Sequence, residues 1–285
     1  MIALSDQPTA SVVIPTRDRP QYLDVALRSV MAQARESSAE VIVVDDGGAP
    51  ATAEVTQRHG ARLIRAEGGH GLNAARNAGV AAARGDPVVF IDDDIDAPPG
   101  WLSSMLTGIE RAPDRDVFGG PIRARLEGGG PRSCGREPAP ITNLDLGASD
   151  RDATHVWGAN MAIRKRAFSR VGSFNESISG RGDEEEWLRR YERSGGLVRY
   201  VAAAGLEHRR TPDDATVRRL SSAAYAVGRT ARRNDVRKGA PPSVAYELRI
   251  LAGCVWHTLR RRCGFGIVFA AHAAGRLREL LSPRS

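Results

Sequence analysis

The sequence predicts an α/β protein: a mostly parallel sheet flanked by helices on both faces, with a helical extension at the C-terminal end. Three observations carry that prediction. Strand-like and helix-like segments alternate four times across residues 11–91. The strand-like segments are continuous apolar runs, the pattern of strands buried on both faces of a parallel sheet. Polar residues then gather where those runs end, at Pro15-Thr16-Arg17, Asp45-Asp46 and Asp92-Asp93-Asp94. Open sheets of this kind bind their ligands in the crevice beyond the carboxyl ends of the strands.

The elements follow in order. SVVIP (11–15) reads as a short strand closed by proline, and YLDVALRSVMAQ (22–33) places Leu23, Ala26, Leu27, Val30 and Met31 at helical spacing. EVIVVDDGG (40–48) reads as the second strand, ATAEVTQRHG as a helix and ARLIRA as the third strand. GLNAARNAGVAAARGD (71–86) is an alanine-rich helix expected to end at Gly85, and VVFIDDD reads as the fourth strand. Beyond residue 105, DVFGGPIRARL is expected to form one strand and EGGGPRSCGREPAP (127–140) a flexible loop. HVWGANMAIRKRAFSRVG passes from strand to helix, GRGDEEEWLRRYERSG is a helix with an acidic start, and LVRYVAAAGLEH is a strand. After Thr211-Pro212 the chain reads as helix to its end, with a break at Pro241-Pro242-Ser243.

Composition narrows the class. A content of 41% hydrophobic and 26% charged residues across 285 positions is that of a globular protein with a sizeable core. Cys134, Cys254 and Cys263 have no CxxC spacing, so the sequence indicates neither a disulfide framework nor a zinc site, and a reducing cytosol is expected. No apolar run reaches the ~18 residues that suggest a membrane span, and the first residues lack the pattern of a signal peptide. The formal charge of +7 is uneven: residues 209–285 hold 16 Arg or Lys against 5 Asp or Glu. Aromatic residues are only 5% and no recognition motif accompanies the arginines, which argues against nucleic-acid binding.

Four carboxylates within five positions, Asp92, Asp93, Asp94 and Asp96, follow the apolar VVFI. Like charges ~4 Å apart repel by ~4 kcal/mol even at an effective dielectric near 20. A hard divalent cation such as Mn²⁺ or Mg²⁺ relieves that repulsion through oxygen ligands. Because Mg²⁺ takes only one or two protein carboxylates beside substrate phosphates, the cluster points to a metal held jointly with a phosphorylated ligand.

SVVIPTRDRP, EVIVVDDGG, GLNAARNAG, VVFIDDD with PPGWL, WGANMAIRKRAF with VGSFNE, and GDEEEWLRR resemble, in that order, the segments of bacterial-type family 2 glycosyltransferases of the GT-A fold. The resemblance covers roughly residues 11–210. It implies a Rossmann-like nucleotide-binding sheet merged with an acceptor-binding half. It also implies inverting, metal-dependent transfer of a sugar from a nucleoside-diphosphate donor, UDP-linked in first expectation, to an acceptor hydroxyl. Asp92 and Asp94 match the family's Asp-x-Asp motif, with Asp94 as metal ligand and Asp92 or Asp93 at the donor ribose. By the same match Pro15, Thr16, Arg17, Asp45, Asp46 and Arg76 build the base pocket, and Asn77 braces its loop. Chemically, a carboxylate can accept from a base N–H and an arginine can donate to a base carbonyl.

The family's second acidic motif falls at Asp183, with Glu185 two residues on and Arg189 six residues on. Gly182 stands where the family usually carries Glu, so the catalytic base is left among Asp183, Glu184 and Glu185, with Asp183 preferred. His208 corresponds to a histidine near the diphosphate and is a candidate third metal ligand or phosphate contact. His59, His70, His257 and His272 have no supporting neighbours in sequence. Trp157 is expected to stack on an acceptor sugar and Asn160 to bind its hydroxyls.

Three enzyme or signalling readings fit less well. A dinucleotide oxidoreductase needs G-x-G-x-x-G where PTRDRP stands. A phospho-receiver needs a lysine at a strand end, whereas Lys165 is in a basic helical segment. A nucleotidyltransferase lacks its glycine-rich phosphate loop after the first strand. A non-catalytic nucleotide-sugar-binding partner subunit stays as the alternative. The expected organisation is a nucleotide-sugar-binding half at 1–105, an acceptor-binding and catalytic half at 106–210, and a basic extension at 211–285. In the extension Val244, Leu248, Leu251, Val255 and Leu259 form one apolar stripe beside Arg260-Arg261-Arg262. The stripe is expected to pack as a helical cap; an anionic membrane surface at the inner face of the cell membrane, or a homodimer interface, are the alternatives. The acceptor is left as a saccharide, a lipid-linked sugar or a small metabolite.

Overall fold

The computed structural model describes residues 7–66, 71–135, 138–178 and 183–280. His70, Gly182, the first six residues and 281–285 lie outside them. The described chain forms two compact units. One comprises residues up to 123, 143–178 and 183–208; the other comprises 124–142 and 209–280.

The first unit is built on the strands β1 (Ser11–Thr16), β2 (Glu40–Asp45), β3 (Arg62–Arg65) and β4 (Val88–Ile91), with helices α1 (Pro20–Glu36), α2 (Pro50–His59) and α3 (Leu72–Ala82) between them. β1, β2, β3 and β4 pair in parallel in the order β3-β2-β1-β4. Val12, Val13, Ile14, Ile42, Val43 and Phe90 are fully buried, as continuous apolar runs require. α1 begins on Pro20, which has no N–H to leave unpaired in the first turn, and buries Leu23, Ala26, Leu27 and Val30. α3 ends at Ala82, three residues before the predicted glycine. Gly85 serves a different purpose: a Cβ there would lie 2.4 Å from the Ala10 carbonyl carbon, so only glycine permits that crossing.

After β4 come β5 (Ile95–Asp96), α4 (Trp101–Glu110), β6 (Val117–Gly119) and β7 (Ile122–Leu126). The single strand expected over 116–126 is thus two strands, because Gly120-Pro121 interrupts the ladder and proline has no N–H to donate. β8 (Arg151–Ala153), β9 (Asn160–Ile163), α5 (Lys165–Val171), α6 (Asp183–Arg193), β10 (Val198–Tyr200) and β11 (Leu206–Arg210) follow. The stretch 197–208 also splits in two: β10 joins the main sheet and β11 a smaller one. The complete main sheet runs β3-β2-β1-β4-β9-β6-β10-β8, with β9 antiparallel to both neighbours. In the small sheet β11 pairs antiparallel with β5, setting His208 opposite Ile95.

Gln33 of α1 positions the acidic segment. Its amide nitrogen donates to the Ala97 and Pro98 carbonyls, and its carbonyl oxygen accepts from the Leu102 N–H at 3.1 Å. The chain leaving Asp94 is thereby tied back to the first helix.

The second unit consists mainly of α7 (Val217–Arg237), α8 (Val244–Arg261) and α9 (Gly264–Leu280). The Thr216 and Ser243 hydroxyls cap α7 and α8. Gly228 and Gly275 let α7 and α9 touch through their backbones, since a Cβ on either would come within 2.1 Å of the partner's carbonyl oxygen. Glu247 of α8 is buried and pairs with Arg276 at 2.7 Å and Arg232 at 3.5 Å, which joins all three helices. The expected stripe on α8 is exposed rather than packed: Val244 is 51% accessible, Leu248 52%, Val255 45% and Leu259 73%. The packed face of the helix is the one that carries Glu247, so the stripe is turned away from α7 and α9.

Candidate active site

The strand-end residues that the sequence singled out collect at the carboxyl edge of the parallel strands. Pro15 is buried in β1 and pairs with Val44. Asp45, at the end of β2, is 3% exposed, and its Oδ1 accepts from the Gly47 and Gly48 N–H groups at 3.0 and 2.9 Å. Its Oδ2 is buried with no hydrogen-bond partner among the described residues, an acceptor suited to a ligand N–H. Asp46 accepts from the Gly71 N–H, just ahead of α3, through both oxygens at 3.1 Å. Arg17 is largely exposed and 3.8 Å from Asp46.

The acidic run divides by direction. Asp93 turns inward: it is fully buried, accepts from the Thr16 hydroxyl at 2.7 Å and is clasped by the Arg19 guanidinium. Loss of hydration pushes Asp93 up to about 7 against the pull of Arg19. Burial works against the charge on Arg19, but Asp93 and Asp94 raise its pKa and keep it protonated. Thr16 and Asp93, both expected at the donor, here contact each other and, for Asp93, Arg19. Arg19 is the residue the sequence reading missed. The signal available was a second arginine directly after the first strand, in TRDRP.

Asp92 and Asp94 face the same way, together with His208 of β11. One ligand atom from each lies within 4.8 Å of the others. His208 Nε2 is 2.9 Å from Asp94 Oδ1, and His208 Nδ1 is buried without a hydrogen-bond partner. Two carboxylate oxygens and an imidazole nitrogen form a donor set suited to Mn²⁺ or Mg²⁺. Asp92 is held well above the usual carboxylate range by loss of hydration and by Asp94 beside it, while His208 and Arg76 pull it down. A divalent ion would reverse that repulsion.

Across the crevice α6 opens with Asp183 and Glu184, 2% and 6% exposed. Arg76 of α3 reaches both, with Nη1 3.1 Å from Asp183 Oδ2 and 3.8 Å from Glu184 Oε2, and it also donates to Asn73 Oδ1. Gly158 leaves room for its guanidinium; a Cβ there would lie 2.1 Å from Arg76 Nη2, so the arginine would have to shift. Arg76, expected in the base pocket, thus pairs with the acidic start of α6 in this structure. Asn77 is likewise turned away from the donor edge. It donates to the Phe174 carbonyl and accepts from the Phe174 N–H at 3.0 Å, bracing that loop.

Burial pushes Asp183 up to about 8, with Arg76 opposing and the neighbouring Glu184 adding to the rise. Burial alone would raise Glu184 too, but a hydrogen bond from Asp183, the Arg76 charge and the Gly158 N–H hold it below its usual range. Glu185 is half-buried.

Trp157 is half-buried, its ring 5.1 Å from that of His155. Asn160 is fully buried and its side chain is spent: Oδ1 accepts from the Trp101 indole N–H at 3.0 Å, and Nδ2 donates to the Pro121 and Ala204 carbonyls. Asn160, expected at the acceptor hydroxyls, acts here as a structural bracket within the core.

With this geometry in view, comparison with known proteins is informative. The chain belongs to glycosyl transferase family 2, whose family model matches residues 11–172. A glucosyl-dolichyl phosphate glucuronosyltransferase of Haloferax volcanii is 25% identical over 215 residues, 70% of this chain and 68% of that protein. A pre-mycofactocin glycosyltransferase of Mycobacterium tuberculosis is 30% identical over 207 residues, 70% of this chain but 42% of that protein. The chain therefore spans between two fifths and two thirds of the length of these relatives. Among solved structures, a Pyrobaculum calidifontis mannosyltransferase in complex with GDP-Man and Mn²⁺ aligns over 98% of this chain and 89% of its own, with a TM-score of 0.62 at 14% identity. Glucosyl-3-phosphoglycerate synthase of M. tuberculosis aligns over 83% of this chain and 82% of its own, with a TM-score of 0.52 at 21% identity. The fold is GT-A with C-terminal helices.

Replacing Asn160 with alanine should cost about 3 kcal/mol, since a buried indole N–H and two carbonyls lose their partner at about 1–3 kcal/mol per group left unpaired. Urea unfolding followed by fluorescence should show a lower midpoint with an unchanged slope. A midpoint equal to the parent's would mean that the bracket is dispensable.

Proposed function

We propose that the protein transfers a sugar, with inversion, from a nucleoside-diphosphate donor to an acceptor hydroxyl, using Mn²⁺ or Mg²⁺ held by Asp92, Asp94 and His208. The observation that carries this reading is the convergence of those three ligand atoms on the same sheet edge as Asp45 and its unpartnered oxygen. When bound, the metal would neutralise the diphosphate as it leaves the sugar. In this reading residues 1–105 form the donor half, 106–210 the acceptor half and 211–285 the extension. Asp45 accepts from a base N–H; Arg17 and Asp46 line the same edge, and Asp92 also reaches the donor ribose.

Asp183 is the base. It is the more basic carboxyl of the pair, whereas Glu184 has its lone pairs committed to the Gly158 N–H and to the pair with Arg76. Asp183 removes the acceptor hydroxyl proton as the oxygen attacks the anomeric carbon from the face opposite the leaving group. Arg76 holds Asp183 in place and limits the rise of its pKa. Trp157 offers an aromatic face to an acceptor sugar.

The first test is thermal stabilisation by UDP, GDP, dTDP and CDP, each with Mn²⁺ or with EDTA. A nucleotide at 100 times its Kd should add about 2.7 kcal/mol of stability. The uridine nucleotide with metal is expected to give the shift, and Asp94→Ala should abolish it. Absence of a shift with every nucleotide would remove the donor assignment.

Asp183→Asn is expected to lower kcat by about 10²–10⁴-fold with the nucleotide shift unchanged. Because the base must be ionised, kcat/KM should rise with pH, falling about tenfold per unit below the Asp183 pKa of about 8. Full activity in Asp183→Asn, with loss in Glu184→Gln, would transfer the role to Glu184. Retained nucleotide binding with no turnover for any acceptor would favour a non-catalytic partner subunit.

The exposed α8 stripe, bordered by Arg249, Arg260, Arg261 and Arg262, supports contact with an anionic lipid surface, which suits a lipid-linked acceptor. Co-sedimentation is expected with phosphatidylglycerol vesicles and not with phosphatidylcholine, and should weaken in the Leu248→Ser/Leu259→Ser double variant. A dimer in sedimentation that shows no vesicle binding would assign the stripe to a second copy.

A further inference from the structure

We propose that Cys134, His257 and Cys263 form a second metal site, selective for a soft ion such as zinc(II) and separate from the carboxylate site. All three belong to the helical unit. Cys134 follows the 127–129 turn, His257 is in the last third of α8, and Cys263 is in the short connection between α8 and α9. Cys134 Sγ is 3.2 Å from His257 Nε2, and one ligand atom from each of the three residues lies within 4.8 Å of the others. Tetrahedral zinc, with Zn–S near ~2.3 Å and Zn–N near ~2.0–2.1 Å, needs ligand atoms ~3.5–3.8 Å apart. The cluster is thus within about an ångström of coordinating spacing before any ion enters.

Ligand type and setting agree with that spacing. Two thiols and an imidazole, with no carboxylate among them, select zinc and other soft or borderline ions over magnesium or calcium. Cys263 is 1% exposed, whereas Cys134 and His257 are half-buried, which gives an ion a way in. The backbone around the cluster is already fastened. The Gly264 N–H donates to the Arg132 carbonyl at 2.6 Å, and Gly264 packs so closely on Pro131 that a Cβ would come within 2.9 Å. Arg262 adopts the left-handed conformation that ends α8 and folds Cys263 back towards the turn carrying His257. On binding, each thiol gives up its proton to solvent, the imidazole binds neutral through Nε2, and no electron is transferred. Three protein ligands leave a fourth position for water or an added ligand. The ion would staple the 131–135 segment to α8 and α9.

The test uses the whole chain in the Asp94→Ala background, so that the carboxylate site does not contribute. After zinc loading under reducing conditions and removal of excess metal, one equivalent per chain should remain. The cobalt(II) form should show thiolate-to-metal charge-transfer absorption. Cys134→Ser and His257→Ala should each lose the retained metal and the cobalt bands, and Cys254→Ser should keep both. The cobalt spectrum of the parent requires no cysteine substitution, so it reads the site even where Cys263→Ser fails to fold. Absence of retained zinc and of thiolate bands overturns the proposal. So does loss of metal in Cys254→Ser but not in Cys134→Ser, or a Cys134–Cys263 disulfide in protein isolated anaerobically.

Discussion

The buried guanidinium of Arg76 is the constraint around which the catalytic region is arranged. It joins a helix of the parallel α/β half to the two carboxyls that open α6. Without it two acidic side chains at 2% and 6% exposure would face each other uncompensated. Removing one partner of such a buried set typically costs 3–5 kcal/mol, because the remaining charge stays buried. The demand propagates to its neighbours. Glycine at 158 leaves space for the guanidinium, and Asn73 turns its carbonyl oxygen towards Arg76 while its amide holds the Asn175 carbonyl. Phe174 lies 5.7 Å beneath the same charge, held by Asn77.

A second cation does related work at the acidic run that follows β4. Arg19 compensates Asp93 and Asp94, which leaves Asp92 and the far oxygen of Asp94 turned towards His208. Alternate carboxyls of one short acidic run thus do opposite jobs. Asp93 anchors the turn to β1 through Thr16, and its neighbours turn oxygens towards His208. The anchoring explains how a chain tolerates such a run at the end of a buried strand.

Local pattern was enough to read the parallel half. Apolar runs, helical spacing and strand-end carboxylates are signals within a dozen residues, and β1 to β4 and α1 to α3 formed where those signals stood. What escaped was set by contacts distant along the chain. Asn160 looked like a polar residue poised for a ligand, yet its partners are 39, 44 and 59 residues away. Arg76 looked like a donor-pocket arginine, but its carboxylates come from a helix more than 100 residues later. Cys134 and His257 are 123 residues apart, so no spacing rule could pair them. The two single strands expected at 116–126 and 197–208 each split for a local reason, a Gly-Pro step and a turn after Val201, each weaker in sequence than the apolar residues around it.

The bracket at Asn160 also bears on how the chain is made. Its amide closes only when the segments around Trp101, Pro121 and Ala204 are all present. During synthesis, at roughly 5–20 residues per second, the first half of the sheet can assemble on local contacts while this layer still lacks its last carbonyl. A nascent chain that stalls before Ala204 therefore exposes a polar gap in the middle of an apolar layer.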